Sequence, residues 1–178
     1  MAAASQLLTH FLGPATACKI YNIYIPIEYS VIFFFFKASF FSKKGQNIFY
    51  CLSVIGFVMA IYFLLFVGLQ GRFVSEWVCF NNIIYTAWIL LLVLEIYEDD
   101  AISLHQQMPL FWYLLGMFFY TSCTILIFCF WDYIMTVKNK YFDMLFEVYG
   151  LFNIFMYVAF AIGLLLDVSD YLKMNKKN

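Results

Sequence analysis

The chain has 178 residues, of which 65% are hydrophobic and 12% charged, and its mean hydropathy is +0.85. This composition excludes an ordinary soluble domain and a disordered chain, since both need far more polar surface. A formal net charge of -1, with 10 Lys and Arg residues that form no long run, also excludes nucleic-acid binding. We therefore expect an integral membrane protein whose main partner is the lipid bilayer.

Five apolar segments reach the length of a membrane-spanning helix, which is about 20 residues for a hydrocarbon core of about 30 Å. The least apolar is the first, because it contains Pro26, Glu28 and Lys37. The sequence therefore predicts an all-α fold, a polytopic transmembrane helix bundle with about five spanning helices. The predicted spans are residues 20–41, 48–69, 77–97, 109–131 and 144–166.

The helix bundle is predicted to occupy residues 20–168, and residues 169–178 are predicted to form a basic cytoplasmic tail. Residues 1–19 are expected to be a short helical remnant or an interfacial segment. Its helix would cover residues 2–12 and end at Gly13, which is too short to span a bilayer. We expect the missing part of that helix to lie upstream, in an amino-terminally truncated chain.

The distribution of Lys and Arg between the connecting loops predicts the orientation, because cytoplasmic loops carry the excess. With five spans, six of these residues fall on one side and four on the other. The side with six includes the carboxy terminus, which is therefore expected in the cytoplasm of a cell whose inner membrane holds the protein. The six are Lys37, Lys43, Lys44, Lys173, Lys176 and Lys177, and the four are Lys19, Arg72, Lys138 and Lys140.

Three motifs resemble a known group of membrane proteins. They are NIYIPIEY at 22–29, PLFWYLLG at 109–116 with Tyr120 after it, and NIFMY at 153–157 followed by AIG at 161–163. These motifs are similar to those of uncharacterised seven-helix membrane proteins of Bacteroidota, which also occur as input modules of histidine kinases. The resemblance implies about seven helices in the whole protein, two of them absent here. It supplies no catalytic residues.

The sequence favours no enzymatic chemistry. The five cysteines show no C-x-x-C spacing, so neither a zinc site nor a redox pair is predicted. The two histidines, His10 and His105, lie outside the predicted spans, where they could not ligate a haem or metal within the bilayer. No enzyme activity, cofactor or metal site is therefore expected.

Polar residues near the outer ends of three predicted spans form the candidate site. Ionised carboxylates facing hydrocarbon cost several kcal/mol or more, so they are expected to face the bundle interior or a water-filled vestibule. One interpretation is a site for a small molecule or cation, and the other is hydrogen bonding between helices or simple interfacial hydration. The candidate residues are Glu28, Asn81, Asn82, Asp143, Glu147 and Asn153.

Three functions remain compatible with these features. The first is a sensor or regulatory module with an outer-leaflet polar pocket, which signals to a cytoplasmic partner. The second is a structural accessory subunit that binds other membrane subunits in a larger complex. A transporter or channel is disfavoured, because the predicted spans 48–69 and 109–131 are uncharged and a transport pathway needs polar residues along its length.

The orientation is tested by fusing a reporter after Asn178. We expect the reporter signal characteristic of the cytoplasm, because the side with six Lys and Arg residues includes this end. A reporter that is active in the periplasm would reverse the predicted orientation.

Overall fold

The computed structural model describes residues 14–66, 74–98, 104–130, 133 and 141–175, and these residues form five α-helices. The predicted all-α helix bundle is therefore confirmed. The helices are α1 (Pro14–Ser39), α2 (Lys43–Phe66), α3 (Ser75–Glu98), α4 (Leu104–Cys129) and α5 (Tyr141–Asn175).

Four of the helices in the described part of the chain are long and apolar enough to cross a membrane. Their apolar segments are Lys43–Phe66, Ser75–Glu98, Met108–Cys129 and Glu147–Val168. They correspond to four of the five predicted spans. The fifth predicted span corresponds to α1, which is not among these four helices, and its crossing of the membrane stays a prediction.

Several helix boundaries differ from the predicted ones. Helix α1 begins at Pro14, so residues 14–19 belong to this helix, whereas the predicted helix over 2–12 lies outside the described residues. Helix α5 continues to Asn175, well past the predicted end of the last span. No Gly or Pro interrupts residues 164–175, so the helix can continue into the region predicted as a tail.

Helix α2 begins earlier than its apolar segment because Ser42 caps it. The Ser42 hydroxyl accepts a hydrogen bond from the Gly45 N–H at 2.9 Å. The side-chain amide of Gln46 donates a hydrogen bond to the carbonyl of Phe40 at 3.1 Å and closes the turn after α1. Polar residues that were expected to form a loop therefore form the first turn of α2.

The chain divides into two compact units, one up to Trp88 and one from Ile89 onward. An aromatic cluster forms the core of the first unit. The Trp88 ring lies 4.9 Å from Phe49 of α2 and 5.5 Å from Phe36 and from Tyr29 of α1, measured between ring centroids. Phe36 is fully buried whereas Phe34 is exposed, so only part of the phenylalanine run at 33–36 faces outward.

Tyr29 joins α1 to α2 by both packing and hydrogen bonding. Its hydroxyl donates to the carbonyl of Ser53 at 3.1 Å. Its ring lies directly against Gly56, where a Cβ atom would approach the ring Cζ to 2.7 Å. The ring therefore fits only because position 56 has no side chain.

Helices α4 and α5 form the core of the second unit as an antiparallel pair with small residues at the contact. A Cβ on Gly116 would lie 2.9 Å from the Ala159 side chain, and one on Gly163 would lie 2.8 Å from the Tyr113 ring. At the other end of the pair, the hydroxyls of Tyr120 and Tyr149 hydrogen-bond at 3.1 Å. Close backbone approach at small residues is typical of helix association in lipid.

Gly56→Ala is expected to destabilise the protein, because the new methyl group overlaps the buried Tyr29 ring. Overpacking of this kind costs about 1–3 kcal/mol. Gly150→Ala is the matched control, since nothing lies within 4 Å of a Cβ placed there. The control should gain roughly 0.5–1 kcal/mol, because Gly is disfavoured inside helices. Denaturation of both variants in nanodiscs measures the difference, and equal stability would contradict the packing described.

Candidate functional site

One face of the first half of α3 is buried along its length. Trp77, Asn81, Tyr85 and Trp88 follow one another at helical spacing, and each is at most 3% exposed. More than half of the α3 span is buried, compared with 11% of the α5 span. A polar amide and a phenol thus lie deep within a face that is otherwise aromatic.

The polar atoms on this face lack hydrogen-bond partners within the part of the chain that the structure describes. Among the described residues, neither the nitrogen nor the oxygen of the Asn81 amide has a partner, and neither does the Tyr85 hydroxyl. The indole N–H groups of Trp77 and Trp88 are likewise unpartnered there. Burial of each such group costs about 1–3 kcal/mol. Several on one helix face indicate a site that something other than these side chains completes.

The register between α1 and α3 places Glu28 beside this face. The Oδ1 atom of Asn22 accepts a hydrogen bond from the Val74 N–H at 3.4 Å, and further along Phe36 packs against Trp88. The two segments therefore run parallel, and Asn81 is level with residues 28 and 29 of α1. Glu28 therefore lies on α1 at the level of Asn81, one helical turn before the level of Tyr85.

Tyr85 also packs on α1 directly. Its ring stacks on that of Tyr29, with centroids 5.9 Å apart and an interplanar angle of 29°. We call Glu28, Asn81 and Tyr85 the α1–α3 polar site. Asn81 lies six residues after Ser75, so the site is about 9 Å from the start of α3, at a rise of about 1.5 Å per residue.

Glu28 brings a carboxyl group to this site. Its side chain is half-buried, and it makes no hydrogen bond or ion pair with any residue that the structure describes. The charged residues on either side of it along α1, Lys19 and Lys37, are both exposed. An ionised carboxyl near hydrocarbon is costly unless its surroundings compensate the charge.

Asn82, the next candidate residue, is buried on the neighbouring face of α3. Its side-chain nitrogen donates to the carbonyl of Val78, one turn earlier, at 2.7 Å. Its Oδ1 has no partner among the described residues. Because one polar atom of Asn82 is already hydrogen-bonded within the helix, burial of the Asn82 amide costs less free energy than burial of the Asn81 amide.

The remaining candidates lie on α5, in the second unit. Asn153 is half-buried and donates to the carbonyl of Tyr149 at 3.4 Å. Glu147 is exposed, which differs from the interior position expected for it, because at the start of the apolar segment its side chain can extend toward water. Asp143 belongs to α5, but its side chain lies outside the described residues. The placement of Glu28 and Glu147 near the outer ends of their spans stays a prediction.

Sequence analysis missed Tyr85, although it follows Asn81 by one helical turn and so shares its face. It also missed the hydrogen bond from Tyr113 to the Asp167 carboxylate at 3.1 Å, which links α4 to α5. Tyrosine is abundant in this chain, with 14 residues, and position alone does not separate a buried phenol from an interfacial one.

A groove lies within the second unit, between the later part of α3 and the first half of α4. This groove has a volume of about 620 Å³, and its walls are side chains such as Val93, Trp112 and Leu115. Its lining is almost entirely apolar, so it offers no group for orienting a polar ligand.

Comparison with known proteins adds no relative: no family model, curated protein or solved structure matches this chain. The resemblance to the seven-helix proteins of Bacteroidota therefore stays a prediction. The function must be inferred from the geometry described above.

Asn81→Leu is expected to stabilise the isolated protein, because it removes an unpartnered buried amide and keeps a similar volume. A gain of about 1 kcal/mol corresponds to the avoided desolvation. Asn22→Leu is the matched control at another fully buried Asn. It should lose stability, since the Val74 N–H would lose its acceptor. Thermal unfolding in nanodiscs distinguishes the two, and destabilisation by Asn81→Leu would identify Asn81 as a structural link.

Proposed function

We propose that this chain is a membrane-embedded sensor or regulatory module that binds a ligand at the α1–α3 polar site. The observation that carries the proposal is the buried Asn81 amide and Tyr85 hydroxyl without partners among the described residues, next to the Glu28 carboxyl. The module belongs to the inner membrane, and its carboxy terminus faces the cytoplasm, where a signalling partner receives the change in helix arrangement.

The surroundings of the site support this proposal because they are well fixed. Tyr29 is fully buried, hydrogen-bonded to the carbonyl of Ser53 and wedged against Gly56. The contact between Asn22 and Val74 fixes α3 against α1. Polar groups that make no hydrogen bond to the described residues, surrounded by side chains whose own contacts are fixed, are typical of a preorganised binding site. Ligand binding would change the forces between α1 and α3, the two helices that form the site.

A pathway across the membrane fits α3 less well. Beyond Tyr85, the same face of α3 continues with Trp88 and Leu92, which are both fully buried. Large apolar side chains at mid-depth interrupt the polar stripe that a transporter or channel would need along its length. The polar groups of the site are therefore confined to the first half of α3.

A structural accessory subunit is the second candidate, and the exposed surface of α5 favours it. Only 11% of the α5 span is buried, and residues such as Leu151, Ile154 and Leu165 are 61–70% exposed. This surface faces either lipid or a neighbouring membrane subunit. It does not account for the unpartnered groups on α3, so we place the sensor function first.

The proposal is tested by ligand-induced stabilisation. The full chain in nanodiscs is melted in the presence of fractions of a small-molecule extract from cells. A saturating ligand at about 100 times its Kd adds about 2.7 kcal/mol of stability. We expect at least one fraction to raise the melting temperature of the wild type and of Glu98→Gln, at the exposed far end of α3, but not of Asn81→Leu. Absence of any effective fraction, or an equal shift in Asn81→Leu, would contradict the proposal.

A further inference from the structure

We propose that the ligand of the α1–α3 polar site is a small primary ammonium ion, the protonated form of an alkylamine. This inference rests on the proposed function and specifies its ligand. It follows from three features of the site: its charge, its hydrogen-bond acceptors and its aromatic neighbours.

The charge of the site selects a cation. Glu28 carries the site's only ionisable carboxyl, and it has no ion pair with any described residue. An anion placed at this level would meet the carboxylate in a low-dielectric setting, where like charges repel strongly. A cation, by contrast, would balance the charge of the Glu28 carboxylate, which no described side chain balances.

The acceptors match the donors of a primary ammonium group, which has three N–H bonds. The site offers the Glu28 carboxylate, the Oδ1 atom of Asn81 and the Tyr85 hydroxyl oxygen. Asn81 and Tyr85 are 2% and 3% exposed, and among described residues these oxygens accept no hydrogen bond. Glu28 lies at the level of Asn81, and Tyr85 follows Asn81 by one helical turn, so an ammonium group between α1 and α3 would have these acceptors around it.

The neighbouring rings favour an organic cation over a metal ion. Tyr85 lies 5.7 Å from Trp88 and 5.9 Å from Tyr29 between ring centroids, so the wall of the site is aromatic. Aromatic faces attract weakly hydrated cations, and the attraction grows when water is excluded. A metal ion such as Ca²⁺ needs six to eight oxygen ligands, roughly twice what this site provides. Within the described residues, no group of three His, Cys, Asp or Glu side chains could hold a metal ion.

The experiment uses the full chain in nanodiscs of zwitterionic lipid and ethylammonium chloride as the probe. We expect a saturable rise in melting temperature with ethylammonium. Sodium chloride and tetramethylammonium chloride at equal ionic strength should give no saturable rise, because sodium is strongly hydrated and tetramethylammonium has no N–H donor. Glu28→Gln should weaken the response at least tenfold, and it should still fold, because a neutral amide is easier to bury than a carboxylate.

Tyr85→Phe removes one acceptor and keeps the ring, so it should weaken the response less than Glu28→Gln. Glu98→Gln, at the exposed far end of α3, is the charge-matched control and should respond as the wild type does. The inference is overturned if ethylammonium has no saturable effect, if sodium or tetramethylammonium acts equally well, or if Glu28→Gln responds fully. If an extract fraction stabilises the protein through Asn81 but ethylammonium does not, the ligand class is wrong and the sensor proposal stands. If neither stabilises it, both fail.

Discussion

Hydrocarbon offers polar groups no hydrogen-bond partner, and this constraint governs which contacts can hold helices together in this chain. It also removes most of the hydrophobic driving force between helices, because lipid is as apolar as a leucine side chain. Close packing and hydrogen-bonded polar pairs must therefore stabilise the contacts between helices. The contact of Tyr29 with Gly56 and Ser53 in the first unit, and of Tyr113 with Gly163 and Asp167 in the second, combines both elements.

The two units meet this constraint in different ways. Helices α4 and α5 approach closely at Gly116 and Ala159, so backbone proximity supplies their dispersion contacts. In the first unit, large aromatic rings interdigitate instead, and Trp88 contacts both Phe36 and Phe49. Each aromatic pair contributes about 0.5–1.5 kcal/mol beyond its burial. Rings that interlock also fix the helix register, and that register places Asn81 at the level of Glu28.

The apolar runs were sufficient to predict four spans and the all-α class, because span length depends on bilayer thickness alone. The ends were less predictable: Ser42 caps α2 in the segment between two predicted spans, and α5 continues because no Gly or Pro interrupts residues 164–175. For the site, depth and charge singled out Glu28 and Asn81. Tyr85 required the helix register, and the exposure of Glu147 required knowledge of packing that residue type does not provide.

Tyr29 and Tyr85 provide an internal comparison that bears on the meaning of the site. Their rings are stacked in the same core, and both are at most 3% exposed. Tyr29 finds the Ser53 carbonyl as an acceptor, whereas the Tyr85 hydroxyl finds none among the described residues. If rigidity alone were required at position 85, a phenylalanine would pack the same ring without the desolvation cost of the hydroxyl. The same reasoning applies to Asn81 and leucine. These costs to the isolated fold support the proposed binding of a ligand at this site, and the Glu28 carboxyl at the level of Asn81 supports a positively charged one.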